Sequence, residues 1–475
     1  MIDPRSRPRR RVLLLCNDVI GKNMAGSGIR YWELAAALSR YAGDDGLSGF
    51  DVTLAALPFI PAPMLPDPMP FPARVYHCRN AADVRAVALE TDVIVTQGIL
   101  LATYPFLSDL GKPLVLDFYI PFVLERLHVD TDDALSNRVF SYESYLRALV
   151  LQTRWADFIL CASEKQRDYY LGVMSALGRV NPYTHADDPT LRRLIDVVPI
   201  GLPSDPPRHT CRVLKGVYPG IAADDKVLLW LSGIWNWFDA PTLIRAMARV
   251  VERRTDVKLF FMGTKHPSPR SPEMRATADT MALSRELGLY DRFVFFGDWV
   301  PYADRENYLL EADVALSLHR DHLETRFSFR VRFLDYFWAR LPIICTRGDV
   351  LGDQVEAHGL GRVIGPGDVD GLTDAILSLL ETPDLRESYR PRFEPVIAAY
   401  RWDVATRPLL KFCAAPRIAP DKAYLRESSV VDVGPTPWWR LPGKAWRAVR
   451  LGGLRGLAHQ VGEYRRWLLT RWGRS

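Results

Sequence analysis

Residues 324–344 read ETRFSFRVRFLDYFWARLPII, and this stretch predicts a loop, a helix start and a buried strand in succession. The helix is predicted over 329–339 and the strand over 343–346. Backbone N–H groups at a helix start, together with the helix dipole, bind anions. We therefore expect Ser328 and Phe329 to donate N–H groups to a diphosphate.

The same stretch carries the side chains that a nucleotide-sugar would need. Arg330 or Arg332 would place positive charge beside the diphosphate. Asp335, two turns deeper, would accept hydrogen bonds from sugar hydroxyls. The alternative is an amphipathic helix with a solvated polar face, in which both arginines and Arg326 lie on the surface.

Short apolar runs alternate with helical patterns along most of the 475 residues, which is typical of parallel α/β sheets. The alternation ends in a proline-rich linker after 197–200 and begins again at 227–231. We therefore predict an α/β protein in which two Rossmann-like domains face each other across a cleft. The predicted limits are 1–203 and 204–398 for the two domains, 399–415 for a helix that returns towards the first domain, and 416–475 for a linker and tail.

Two turns that follow predicted strands contain glycine. Gly26 and Gly28 follow the first strand and would let a ligand or the facing domain approach the backbone closely. The alternative is an ordinary connection between a strand and a helix. Gly233 opens the second domain and precedes Trp235 and Trp237, whose rings either stack on a base or sugar or pack at the domain interface.

Two carboxylates and a tyrosine follow another predicted strand, at Asp117, Tyr119 and Glu125. In the cleft they could orient an acceptor hydroxyl or act as a base. The alternative for Asp117 is that it only caps a turn. The triplet DTD at 130–132 formally matches a metal-binding pattern, but no predicted strand precedes it, so we expect no metal site.

The net charge of +5 is concentrated in the tail. Residues 438–475 contain nine Lys or Arg, one Glu and five of the thirteen tryptophans. This mixture indicates an anionic membrane surface and not a nucleic acid as the partner; the alternative is a helix docked on the first domain. The six cysteines are scattered, and no apolar run is long enough to span a membrane. We therefore expect a cytoplasmic protein, peripheral on the inner face of the membrane.

At these residues the chain resembles the GT-B glycosyltransferases, in particular glycosyltransferase family 4, over roughly residues 10–412. The loop 26–28 resembles the family's glycine-rich loop, and ARLPII at 339–344 resembles the segment after its ExxxxxxxE motif. The resemblance implies a nucleotide-sugar donor, retention of anomeric configuration, and no metal ion or other cofactor. It assigns the ribose contact to Asp335, seven residues before Pro342.

The chain also departs from the family pattern. The motif's first carboxylate position falls at Phe327, and Glu324, three residues earlier, is a candidate replacement. The family's Arg and Lys after the first strand of the second domain are missing. The charge on the diphosphate would then come from Arg326, Arg330 or Lys265.

Asp117 matches the position of a histidine in the family's first domain, so the resemblance implies that Asp117 positions the sugar or the acceptor. We hypothesise a glycosyltransferase that extends a glycan or lipid-linked acceptor during surface polysaccharide biosynthesis. One alternative is a nucleotide-sugar epimerase of the same fold. Another is a non-catalytic nucleotide-sugar-binding subunit of a membrane assembly complex.

Overall fold

The computed structural model describes residues 9–42, 49–129, 133–264 and 274–427, and five isolated positions at 445, 446, 454, 458 and 461. Lys265, the DTD triplet and almost all of the basic tail lie outside the described residues, and so does the predicted membrane contact of that tail. No helix among the described residues is long and apolar enough to cross a membrane.

The first domain contains a seven-stranded sheet covered by helices. Its strands are β1 (Arg10–Cys16), β2 (Phe50–Ala56), β3 (Arg74–His77), β4 (Val93–Gln97), β5 (Leu114–Asp117), β6 (Phe158–Cys161) and β7 (Ile195–Val197). Its α-helices are α1 (Gly26–Arg40), α2 (Ala81–Leu89), α3 (Leu100–Thr103), α4 (Phe122–Val129), α5 (Leu135–Trp155), α6 (Glu164–Ala176) and α7 (Pro182–Asp187). The strand order is β3-β2-β1-β4-β5-β6-β7, and all neighbouring strands are parallel.

The buried strands are apolar on both faces because helices cover both sides of the sheet. In β1, Val12 and Leu14 belong to one hydrophobic cluster, while Leu13 and Leu15 belong to the other. Side chains alternate between the two faces of a strand. A continuous apolar run such as VLLL is therefore the expected sequence for this position.

The second domain repeats the arrangement with six parallel strands. These are β8 (Lys226–Leu231), β9 (Val257–Met262), β10 (Val294–Phe296), β11 (Val314–Ser317), β12 (Ile343–Thr346) and β13 (Gly361–Ile364). The helices are α8 (Ala240–Arg253), α9 (Arg275–Glu286), α10 (Arg305–Glu311), α11 (Leu323–Phe327), α12 (Arg332–Trp338), α13 (Val350–His358), α14 (Val369–Leu380) and α15 (Leu385–Tyr400). The strand order is β10-β9-β8-β11-β12-β13.

The chain then returns to the first domain through α16 (Trp402–Ala405) and α17 (Arg407–Ala414). The ring of Phe412 stacks on that of Phe158 in β6, with centroids 4.9 Å apart. A single helix was predicted over 400–412, with a possible kink at Pro408; the structure has two helices, and Pro408 lies in the first turn of α17. The segment from 416 was predicted to be a linker, but it contains α18 (Lys422–Glu427).

The segment before α18 is anchored by a buried ion pair. Arg179 donates to both carboxylate oxygens of Asp421, at 2.8 and 3.3 Å. Lys422 forms a second ion pair with Asp157 at 2.6 Å. Part of the predicted linker is therefore packed on the first domain.

Candidate active site

A cavity of about 1020 Å³ lies between the two domains. Its walls come from the segments that follow β1, β2, β4 and β5 in the first domain, and from those around the ends of β8, β9 and β10 and the start of α12 in the second. The strand order reverses between β1 and β4 and again between β8 and β11. Open α/β sheets bind ligands at such points, outside the carboxyl ends of the strands.

The segment at 324–344 begins its second helix later than predicted. The helix α12 starts at Arg332 and not at Phe329. The N–H of Ser328 donates to the carbonyl of Thr325 at 3.2 Å, and its hydroxyl bonds to Glu324. The prediction that Ser328 offers its N–H to a diphosphate is therefore wrong, because Ser328 terminates α11 instead. Phe329 does line the cleft.

Glu324 and Arg330 form a buried ion pair. Arg330 donates to the two carboxylate oxygens of Glu324 at 2.9 and 2.6 Å. Glu324 is buried and does not line the cleft, so the prediction of a catalytic carboxylate there is wrong. Arg330 does line the cleft, but Glu324 balances its charge. Arg326 is exposed and does not line the cleft, so it cannot supply the predicted charge from this position.

Arg332 differs from Arg330 because no described carboxylate pairs with it. It is 5% exposed and lines the cleft. Its Nη2 donates to the hydroxyl of Ser232 and to the carbonyl of Gly233, at 3.2 Å each. Its Nη1 is buried without a hydrogen-bond partner among the described residues. Burial lowers the pKa of Arg332 to about 10. The side chain is a desolvated cation beside the cavity.

The guanidinium of Arg332 is held in place by aromatic rings. It lies 4.1 Å from the ring centroid of Phe238 and 4.6 Å from that of Trp230. Such contacts favour a cation but supply no negative charge to balance it. From the sequence, Arg332 could be named only as an alternative to Arg330. Nothing local in the sequence distinguishes the two arginines, because their difference is the pairing with Glu324.

Asp335 lies about one turn beyond Arg332 and also lines the cleft. Its Oδ1 accepts a hydrogen bond from Nε of Arg305 at 2.9 Å. Arg305 in turn donates to the carbonyl of Tyr302 at 2.6 Å, and the Tyr302 hydroxyl donates to Glu33 of the first domain at 3.2 Å. This chain of contacts fixes the orientation of Asp335. Sequence reasoning missed Arg305, which lies thirty residues upstream.

Asp117 is not in the cleft. It is 2% exposed, and Arg30 of α1 donates to its two carboxylate oxygens at 2.6 and 2.8 Å. Arg30 also donates to the carbonyl of Val198 at 2.8 Å. The prediction that Asp117 positions the sugar or acceptor is therefore wrong. This carboxylate neutralises a buried arginine and ties α1 to the sheet.

Glu125 does line the cleft, on α4. Burial, and to a smaller extent the nearby negative charge of Glu324, raises the pKa of Glu125 to about 8. Two histidines lie in the same region, where the rings of His128 and His322 stack across the domain interface with centroids 4.2 Å apart. Burial lowers the pKa of both histidines. Because the pKa of Glu125 is about 8, its carboxyl group can gain or lose a proton near neutral pH.

The two predicted loop glycines, Gly26 and Gly28, lie in the first turn of α1 and have different roles. A Cβ on Gly26 would lie 3.8 Å from the Tyr119 hydroxyl and 4.0 Å from Cγ2 of Val331, which are ordinary contacts. A Cβ on Gly28 would lie 2.1 Å from the carbonyl oxygen of Val19. Gly26 lines the cleft and Gly28 does not. The predicted ligand contact at Gly28 is therefore wrong, because that glycine lets α1 pack closely against the loop that precedes it.

The turn after β8 forms the opposite wall. Ser232 has a φ of 69°, a left-handed conformation that is uncommon outside glycine, and Gly233 follows it. Strained backbone of this kind is concentrated at functional sites. The indole rings of Trp235 and Trp237 stack on each other with centroids 5.1 Å apart, and both residues line the cleft. The rings pack on each other and both residues face the cavity, so stacking on a base or sugar stays a prediction.

The architecture matches solved structures across almost their full length. Sucrose-phosphate synthase (tll1590) from Thermosynechococcus elongatus has a TM-score of 0.59 at 15% identity, over 85% of this chain and 98% of that one. Anabaena Alr3699/HepE, in complex with UDP and glucose, has a TM-score of 0.60 at 15% identity, over 86% and 100%. The chain has the GT-B fold.

A family model matches part of the chain, and a further solved structure resembles most of it. Residues 225–382 match the family model described as glycosyl transferases group 1. WaaG, a glycosyltransferase involved in lipopolysaccharide biosynthesis, has a TM-score of 0.55 at 15% identity, over 86% of this chain and 100% of that one. No curated protein matches the sequence. Together the family match and the fold support a glycosyltransferase.

Proposed function

We propose that the protein transfers a sugar from a nucleotide-sugar to a glycan or lipid-linked acceptor. The observation that carries the proposal is the pair Arg332 and Asp335 on α12. The two residues are one turn apart, and both face the cleft between the two domains of the GT-B fold. Arg332 is a buried cation with no described carboxylate partner. A diphosphate would supply that missing charge, and Asp335 would accept hydrogen bonds from the ribose.

The neighbouring wall suits the rest of such a donor. Trp235 and Trp299 line the same half of the cleft, and aromatic rings of this kind stack on bases and sugars. One structural neighbour was solved with UDP and glucose bound. This supports a uridine diphosphate sugar as the first donor to test.

The proposal includes retention of anomeric configuration and a reaction that needs no metal ion. In that route the donor phosphate accepts the proton of the acceptor hydroxyl. The protein then contributes mainly orientation and stabilisation of the charge that develops on the leaving diphosphate. Arg332 would provide this stabilisation, because its positive charge is already desolvated before the donor arrives. The proposal also includes a role in surface polysaccharide biosynthesis, on the cytoplasmic face of the membrane.

The first test is a panel of UDP-, GDP- and dTDP-sugars, screened for a rise in the midpoint of thermal unfolding. We expect one class to raise the midpoint of the wild type. The Asp335→Asn variant should lose most of that shift, since a hydrogen bond involving a charged group contributes about 1.5–3 kcal/mol. Each shift is measured from the variant's own midpoint without ligand, which removes the effect of the lost ion pair with Arg305.

Asp374→Asn is the matched control, because Asp374 is exposed on α14 of the same domain. It should respond to the donor like the wild type. Transfer is then read as release of the nucleoside diphosphate that depends on an added acceptor. If no nucleotide-sugar shifts the wild-type midpoint, or if Asp335→Asn responds fully, the donor site has been assigned wrongly.

A further inference from the structure

Part of the cleft wall formed by the first domain, opposite Arg332 and Asp335, consists of apolar side chains. We define the N-terminal lobe as the part lined by Phe59, Ile60, Ile99, Leu100, Phe122 and Tyr145. These side chains come from the segments after β2 and β4 and from α4 and α5. With a donor on the second domain, this lobe is the space left for the acceptor.

Apolar side chains in this lobe remain accessible to a ligand. Phe59 and Ile99 are each 37% exposed although they lie inside a cleft. Covering apolar surface of this kind is favourable by about 25 cal/mol for each Å². Predominantly apolar walls with a few polar groups are the usual surroundings of a bound apolar ligand.

The polar groups around the lobe largely bond to the protein itself. Asn17 accepts a hydrogen bond from Gln97 at 2.5 Å, and Arg126 donates to the Ser141 hydroxyl at 2.7 Å. Of the two carboxylates expected here, Asp117 is withdrawn behind Arg30, and Glu125 on α4 faces the cleft. An acceptor with many hydroxyls would lose its water without regaining an equal number of hydrogen bonds. The lobe therefore favours a ligand with a large apolar surface.

The apolar surface continues on the outside of the cleft. The proline-rich loop that carries Phe59 also carries Met64 and Leu65, which are 59% and 42% exposed. Hydrogen bonds with Ile20 and Lys22, at 3.3 and 3.0 Å, fix the loop near the cleft. An exposed apolar loop beside an apolar lobe favours an extended chain over a compact ring.

We propose that the acceptor is a sugar carried on an aliphatic chain, and that the N-terminal lobe binds the first carbons of that chain. This inference rests on the proposed glycosyltransferase function and narrows its acceptor from a glycan or lipid-linked molecule to the lipid-linked class. The sugar hydroxyl would point towards Arg332 and Asp335. The remainder of the chain would leave along the loop with Met64 and Leu65.

The test measures binding of methyl, butyl, hexyl and octyl β-glucosides to the full-length protein by calorimetry, each below its critical micelle concentration. We expect affinity to rise about fourfold for each added methylene that is buried. Phenyl glucoside, which carries a compact ring, should bind more weakly than hexyl glucoside. Affinity that does not change with chain length, or tighter binding of the phenyl compound, would overturn the inference.

Substitutions inside and outside the N-terminal lobe test where the alkyl chain of the glucoside binds. Ile99→Asn and Phe59→Ser should reduce the gain in affinity with chain length, whereas Leu89→Asn should retain it, because Leu89 is 51% exposed on α2 and does not line the cleft. An equal gain in all three variants would place the alkyl chain elsewhere and refute the lobe. The shift in the midpoint of thermal unfolding caused by the nucleotide-sugar is measured on the same samples. If that shift occurs without dependence on chain length, only this inference fails; if it is absent, the proposed function and the acceptor assignment both fail.

Discussion

Replacing Arg332 by methionine should stabilise the protein without ligand and weaken its binding to the donor. The two effects have opposite signs because the guanidinium is buried before any anion is present to balance it. Methionine fills a similar volume and carries no charge. It would keep apolar packing against Trp230 and Phe238 and remove the cost of desolvation, but the cation–π attraction to the two rings is lost with the charge.

The size of the stabilisation follows from the contacts of Arg332. Burial lowers its pKa from 12.5 to about 10, and each pKa unit corresponds to about 1.4 kcal/mol. Keeping the charge therefore costs about 3 kcal/mol at every pH below the folded value, where the side chain is charged in both states. Loss of the two hydrogen bonds, to Ser232 and Gly233, returns about 1 kcal/mol each. Loss of the cation–π attraction to Phe238 and Trp230 offsets a further part, about 0.5–1 kcal/mol. The net stabilisation is therefore at most about 1 kcal/mol.

The assay is thermal unfolding with and without the nucleotide-sugar that stabilises the wild type. For a domain of this size, a stabilisation of at most about 1 kcal/mol raises the midpoint by no more than roughly 2–4 °C. Loss of a charged contact with the diphosphate, worth about 2–3 kcal/mol, should weaken donor binding roughly 30- to 150-fold.

Arg330→Met is the matched control, two positions away. It should lower the midpoint of the ligand-free protein, because breaking the buried pair with Glu324 costs about 3–5 kcal/mol. If Arg332→Met instead lowers the midpoint by as much as Arg330→Met and leaves donor affinity unchanged, Arg332 is a structural residue and the reasoning is refuted.

Three further predictions concern the first domain. Glu125→Gln should raise the unfolding midpoint above that of the wild type at pH 9, because ionised Glu125 is disfavoured only in the folded state. The gain in midpoint should fade as pH falls from about 8 towards 4.5. An equal gain at pH 9 and pH 4.5 would contradict the raised pKa of Glu125. Asp117→Asn should destabilise the protein by about 3–5 kcal/mol in urea unfolding, by leaving Arg30 unpaired; wild-type stability with lost transfer activity would restore a role in the cleft. Gly28→Ala should cost about 1–3 kcal/mol through overpacking, while Gly26→Ala folds normally, and equal unfolding midpoints for the two variants would disprove this difference.

The fold could be predicted from the sequence because each strand is covered on both faces. Runs such as VLLL in β1 and KVLLWL in β8 are typical of parallel strands that are buried on both faces. Their alternation with helical segments then indicates parallel sheets. The start of α12 was harder to predict, since Ser328 can cap a helix or end one. It ends α11, by bonding to Glu324 four residues earlier.

The site was only partly predictable. Asp335, which was named from its distance to Pro342 in the sequence, does line the cleft. Asp117 was predicted to face the same cleft, yet it is bonded to Arg30, eighty-seven residues away. Arg305 reaches Asp335 from thirty residues upstream. Contacts between residues so far apart in the chain leave no periodicity or spacing in the sequence.

The sequence by itself determined two α/β units, the linker between them, and a helix that carries both a basic start and Asp335. Only the tertiary structure decided which of its cations is available to a ligand. Arg330 and Arg332 are almost equivalent as residues, but Arg330 meets Glu324 and Arg332 meets aromatic rings and a carbonyl. The physical reason is that a charge in a protein interior is balanced by the groups within a few ångströms. Those neighbours are set by the packing of the whole domain.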